Sequence, residues 1–186
     1  MKITQNLILT LIAVALFSGC GRSGDSTTIA AGGAALLEVA EQGDLQTLNQ
    51  LLAQHRQPDV RDSCDWTPLM KAALYGHQEV VERLIQAGAQ VDAADKGGYT
   101  AVMLAASNNH AQVVDLLLKQ GAMADHQEST KGWTALIWAA KQGHTKAVSA
   151  LLAQGADRTL KDYDGKTAAD WARQEGHSEV LELLQG

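Results

Sequence analysis

The chain has no cluster of lysine or arginine, only two cysteines, and an aromatic content of 4%. Fifteen Lys and Arg stand against 21 Asp and Glu, for a formal charge of −6. An acidic chain without a basic cluster is unsuited to nucleic acid, where neutralising phosphates dominates affinity. No apolar run is long enough to cross a bilayer as a helix; the longest, LILTLIAVALF near the start, is too short. No paired carboxylates, no Ser/His/Asp arrangement and no phosphate-cradling glycine loop stand at a meaningful spacing. Gly32-Gly33 and Gly97-Gly98 read as tether and turn glycines. With 46% hydrophobic and 19% charged residues, the rest is ordinary for a globular protein.

The N-terminus carries a targeting pattern. MKITQN supplies Lys2 and the α-amine, the apolar run follows, and Phe17-Ser18-Gly19-Cys20 ends in small residues. Leu16 to Cys20 resembles the lipobox of bacterial lipoproteins, with Phe17 where those sequences usually carry Leu. The resemblance implies a signal peptide over 1–19, a lipid-bearing Cys20, and an envelope location facing the periplasm. Gly21 after the Cys resembles the outer-membrane sorting preference. Residues 20–33, rich in Gly, Ser and Thr without an amphipathic period, read as a flexible tether. As a coil its ends lie about 20 Å apart. If Cys20 carries lipid, Cys64 is left without an intramolecular partner, so the sequence predicts a reactive surface thiol there and stability from packing alone.

One pattern returns four times: DWTPLMKAALYGH (65–77), GYTAVMLAASNNH (98–110), GWTALIWAAKQGH (132–144) and GKTAADWARQEGH (165–177). Thr67, Thr100, Thr134 and Thr167 recur at intervals of 33, 34 and 33 residues, as do His77, His110, His144 and His177. A period of this size marks a solenoid. Thr67-Pro68-Leu69, Ala72-Ala73, Gly76-His77, Val80-Val81, Leu84-Ile85 and Gly88-Ala89 resemble an ankyrin repeat in order. The resemblance covers residues 34–186. It implies an all-α solenoid of stacked helix–turn–helix units with β-hairpin fingers. The units are a divergent N-terminal one (34–61), three full repeats (62–94, 95–128, 129–161) and a C-terminal cap (162–186). The threonines cap the first helices; Gly76, Gly143 and Gly176 end them, with Asn109 at the same place in the second repeat. The second helices show apolar stripes at i, i+1, i+4 and i+5, such as Val80, Val81, Leu84 and Ile85.

The recurring histidines read as structural, since stacked helices about 8–10 Å apart cannot share a metal whose bonds are near 2 Å. His55 and His126 are isolated in the frame, so no metal, cofactor or catalytic residue is expected. The family usually has His after Thr-Pro-Leu, linking neighbouring repeats; here Met70, Met103, Ile137 and Asp170 occupy that place, which predicts apolar packing between repeats.

In ankyrin proteins the fingers and first helices form a concave face that usually binds partners. All seven aromatics of the mature chain fall on its variable positions: Trp66, Tyr75, Tyr99, Trp133, Trp138, Tyr163 and Trp171. The core is expected to hold none. Trp66, Tyr99 and Trp133 occupy equivalent finger places and are predicted to form an exposed row, the residue types that binding hot spots favour; Trp138 and Trp171 are also candidates for packing between repeats. The reading is a monomeric, lipid-anchored protein–protein interaction adaptor of the bacterial envelope. Alternatives are an inhibitor or immunity-type protein neutralising a toxin or envelope enzyme, and a structural tether of an envelope assembly.

Overall fold

The computed structural model describes residues 31–54 and 57–186. The signal peptide, Cys20 and most of the tether lie outside the described residues.

Four first helices start after a threonine in extended conformation, and three of these offer the hydroxyl to the open end of the helix. Thr67 accepts from Met70 N–H at 3.3 Å, Thr134 from Ile137 N–H at 3.2 Å and Thr167 from Asp170 N–H at 3.3 Å. Thr100 has the same backbone but makes no such bond, and its buried hydroxyl lacks a partner. Gly76, Gly143 and Gly176 close three of these helices with φ near +75° (75°, 74° and 78°), and Asn109 takes φ 59° after the other. That conformation costs glycine nothing and asparagine little.

The resulting helices are α1 (Ala31–Gln42), α2 (Leu45–Gln54), α3 (Pro68–Tyr75), α4 (Gln78–Gln86), α5 (Ala101–Ser107), α6 (Ala111–Lys119), α7 (Ala135–Gln142), α8 (Thr145–Ala153), α9 (Ala168–Glu175) and α10 (Ser178–Gln185). The first helices α1, α3, α5, α7 and α9 pack successively in one layer, and α2, α4, α6, α8 and α10 in a second. This is the all-α solenoid the repeat implied. Among the described residues the fingers hold only one isolated bridge, Ala94 to Thr100; they are tight turns in place of extended hairpins.

The first layer is the more deeply buried. All seven residues of α5 are inside, and the paired alanines 72–73, 105–106 and 139–140 are fully covered where neighbouring helices meet. Met70, Met103 and Ile137 are buried too, which is the apolar inter-repeat packing expected at that place. Each second helix turns two or three aliphatic residues inward: Val80, Val81 and Leu84; Val113, Val114 and Leu117; Val148 and Leu151; Val180 and Leu184. At roughly 1.5–3 kcal/mol for each buried side chain, this stripe makes stacking obligatory.

A polar ladder also links the repeats. The Nε2 N–H of His77 donates to Glu41 O at 2.9 Å, that of His110 to Leu74 O at 3.1 Å, that of His144 to Ser107 O at 3.0 Å and that of His177 to Lys141 O at 3.0 Å. Each acceptor is a carbonyl of the preceding unit's first helix, one of the groups a helix end leaves open. The rings lie flat against Gly43, Gly76 and Gly143, where an added Cβ would come within 2.4–2.6 Å of the imidazole of His77, His110 and His177.

Candidate functional site

An acidic residue at the base of each finger folds it. The Asp62 carboxylate accepts from the N–H groups of Cys64 and Trp66 at 2.9 and 3.0 Å. Asp95 takes those of Gly97 and Tyr99, both at 2.8 Å; Asp162 takes those of Asp164 and Lys166 at 3.0 and 2.8 Å. The third finger is one residue longer, and its acid is one methylene longer. Glu128 reaches the N–H groups of Thr130 and Lys131, each at 2.7 Å, and of Trp133 at 3.1 Å, and also accepts from the Thr130 hydroxyl. The 34-residue interval in the sequence is thus matched by Glu where the other fingers have Asp.

Successive fingers are joined through their backbones: Lys96 N–H to Cys64 O at 3.2 Å, Ser129 N–H to Gly97 O at 2.9 Å, Tyr163 N–H to Lys131 O at 2.9 Å. The aromatic residues closing the first three fingers, and Trp171 on α9, add side-chain bonds. The Trp133 indole donates to Asp162 Oδ2 at 3.0 Å, and Trp171 donates to the same oxygen at 2.8 Å. Trp66 hydrogen-bonds the Asp95 side chain, and Tyr99 bonds the side chains of Thr130 and Glu128.

This overturns the expectation of an exposed aromatic row and of a core without aromatics. Trp66, Trp133, Trp138 and Trp171 belong to the core at 7%, 4%, 5% and 8% exposure, and Tyr99 is half-buried against it. For Trp66 and Trp133 the physical reason is the acid in the next finger, and for Trp171 it is Asp162 in its own unit: the indole N–H finds an acceptor, so the ring can leave water. Trp133 stands edge-on to Trp138 (centroids 4.5 Å apart) and to Trp171 (5.4 Å), and Tyr99 is tilted on Trp138 at 6.2 Å. Tyr75 and Tyr163 are exposed, at 40% and 66%. Tyr75 donates to Glu41 at 3.3 Å, and the Tyr163 ring lies over Gly132.

Lysines ring the indoles. Lys131 Nζ lies 4.5 Å from the Trp133 centroid and Lys141 Nζ 5.8 Å from it; Lys141 and Lys166 lie 4.1 and 4.3 Å from that of Trp171. Lys71 repeats the arrangement over Trp66 at 5.0 Å. Lys71 pairs with Glu41 at 3.0 Å and Lys141 with Glu175 at 2.7 Å. Burial pushes the Asp162 carboxyl up, but the N–H groups of Lys166, Trp171, Trp133 and Asp164 outweigh it and hold the group below the usual range. Glu128 behaves likewise: burial raises it, and the Thr130 hydroxyl with the Trp133, Thr130 and Lys131 N–H groups lowers it further.

Cys64 also departs from expectation. It is buried, at 7% exposure, where a surface thiol was predicted; its N–H donates to Asp62 within the first finger, and its Sγ lies 3.9 Å from the Ser63 hydroxyl. Among the described residues no three His, Cys, Asp or Glu side chains converge as a metal site, and no helix is long and apolar enough to cross a membrane.

The family model described as ankyrin repeats (3 copies) matches residues 36–128 and 120–186. The family is a non-catalytic, protein-interaction fold. No curated protein matches the chain.

Proposed function

Because this chain belongs to the ankyrin-repeat family, we propose that it is a lipid-anchored adaptor of the bacterial cell envelope, binding another protein through the face its fingers and first helices make. The lipobox-like Leu16 to Cys20 supports the anchor, and Gly21 the periplasmic side of the outer membrane. The observation that carries the binding reading is the division of labour on the finger face. Its indoles are locked into the scaffold, while Tyr75, Tyr163 and the lysines stand above them in reach of a partner. Within the seven aromatics, the partner-facing surface is therefore Tyr163, Tyr75 and the outer edge of Tyr99. Trp66, Trp133 and Trp171 act from beneath, their rings lying under lysine amines.

Photo-crosslinking in intact cells tests this, with the reactive residue placed at Tyr163 or Lys131 and, as control, at Glu82 on the second-helix layer. Capture of one envelope protein from the finger face and none from Glu82 supports the reading. Capture from Glu82 alone moves the interface to the other layer and removes it. Activity and location of the captured protein after deletion then separate an adaptor from an inhibitor or a tether.

A further inference from the structure

Lys96, Lys131 and Lys166 sit on three successive fingers, 35 residues apart each time. None of the three is in an ion pair among the described residues, whereas Lys71 and Lys141 on the helices behind them are. Their amines meet only neutral groups: Lys96 donates to Ser63 O at 2.7 Å, Lys166 to Gln174 Oε1 at 2.6 Å, and Lys131 lies over the Trp133 ring. The acids nearest in sequence do not neutralise them. Asp95, Glu128 and Asp162 each accept several backbone N–H bonds within their own finger, and Asp162 two indoles besides. Of the acids on the finger turns, Asp65 stands on the first and Asp164 on the fourth, so the middle two fingers present lysine alone.

Neighbouring repeats stack about 10 Å apart, and each of the three units offers one finger lysine, from the place one, three and four residues after its finger acid. An extended chain rises about 3.3 Å per residue, so three residues cover one finger. The backbone edges of the fingers are already bonded to one another, which leaves side chains as the means of recognition. We infer that the finger row docks an extended acidic segment of a partner protein, with carboxylates at every third residue meeting Lys96, Lys131 and Lys166. The inference rests on the protein-binding reading of this face and names the partner's chemistry. Tyr163, exposed between Lys131 and Lys166 in the same row, supplies the apolar contact.

The test uses the chain without its signal peptide and Cys20, residues 21–186, and fluorescein-labelled peptides read by anisotropy. One peptide repeats Glu-Gly-Ser; a second has the same composition with its glutamates in one block; a third repeats Lys-Gly-Ser. The spaced acidic peptide is expected to bind best, and more weakly as salt rises. Lys96→Gln and Lys131→Gln are each expected to weaken it about two- to fivefold, and with Lys166→Gln all three about thirtyfold, at unchanged melting temperature. Lys119→Gln on the other layer should change nothing. Equal binding of the spaced and blocked peptides, indifference to the lysine changes, or preference for vesicles of anionic phospholipid over the acidic peptide would each overturn the inference. A partner that crosslinks at Tyr163 yet ignores the triple lysine change leaves the protein-binding face standing and removes only its acidic ligand; no crosslink at all removes both.

Discussion

The Trp133 indole and the Asp162 carboxylate, 29 residues apart, meet at 3.0 Å across two neighbouring fingers, both at 5% exposure or less. Trp66 and Asp95 stand in the same relation at the same separation, as do Tyr99 and Glu128. The aromatic before Thr67, Thr100 and Thr134 is therefore a tie between turns. Fingers that would otherwise be independent loops become one surface, and it is this surface that carries Lys96, Lys131 and Lys166.

Asp162 tests that tie. Its two oxygens serve four N–H donors, two backbone and two indole. Asn in its place offers one acceptor oxygen and turns an amide N–H toward the other two donors. A buried donor left without a partner costs about 1–3 kcal/mol. Asp162→Asn is expected to lower the melting temperature by many degrees, while Asp164→Asn, at an exposed position of the same finger, stays within about 0.5 kcal/mol of the parent. Equal melting of the two variants would show that the tie carries no stability.

The glycines before the histidine ladder give a second comparison. Gly143 and Gly176 have nearly the same positive φ, 74° and 78°, yet a Cβ on Gly143 would fall 2.6 Å from the His177 ring, and one on Gly176 would meet nothing within 4 Å. Gly176→Ala should cost only the left-handed backbone, about 1 kcal/mol. Gly143→Ala should cost that plus a displaced imidazole and its bond to Lys141 O. Chemical denaturation of both, with Gly143→Ala repeated in a His177→Ala background, checks it: the excess penalty should shrink when the ring is gone.

Much of this was legible in the sequence. Thr67, Gly76, Val80, Val81 and Leu84 each do what their place in the period implied, because caps, αL positions and apolar stripes are local properties. Trp66 and Trp133 are buried against expectation because a finger turn has no period from which to tell its two sides, whereas Trp138 and Trp171, on helices, were already candidates for packing between repeats. The signal available was non-local: an acid recurs 29 residues after Trp66, Tyr99 and Trp133. The histidine ladder was half visible, since four equivalent histidines marked a structural role, but their acceptors lie in the preceding unit.

Acid should unfold the chain in two stages. His110 and His144 are held below the ordinary histidine range, first by burial of their rings and in part by neighbouring histidines. The folded state thus resists the proton that the unfolded chain accepts near about pH 6.5. Stability is flat above that pH and falls as pH drops below it, until the depressed folded values are reached. Asp162 and Glu128, held below the carboxylate range, contribute stability that is present above about pH 4 and lost as pH falls through their folded values. Melting followed by circular dichroism should decline between about pH 7 and 5, and His144→Gln, which keeps an N–H donor and removes a titration, should flatten that slope. An unchanged slope would assign the mild-acid loss to other groups.

The anchor can be decided through one cysteine. Lipidation joins a diacylglycerol to the sulfur of the lipobox cysteine as a thioether. The lipobox reading therefore places its test at Cys20. More than one acyl chain on the N-terminal cysteine gives stable membrane attachment where one chain would be marginal. Protein from the envelope is expected to incorporate labelled fatty acid and to sediment with membranes. Cys20→Ala should lose the label and leave the membrane fraction. Envelope protein that carries no label, or a Cys20→Ala variant that still sediments with membranes, would overturn the anchor.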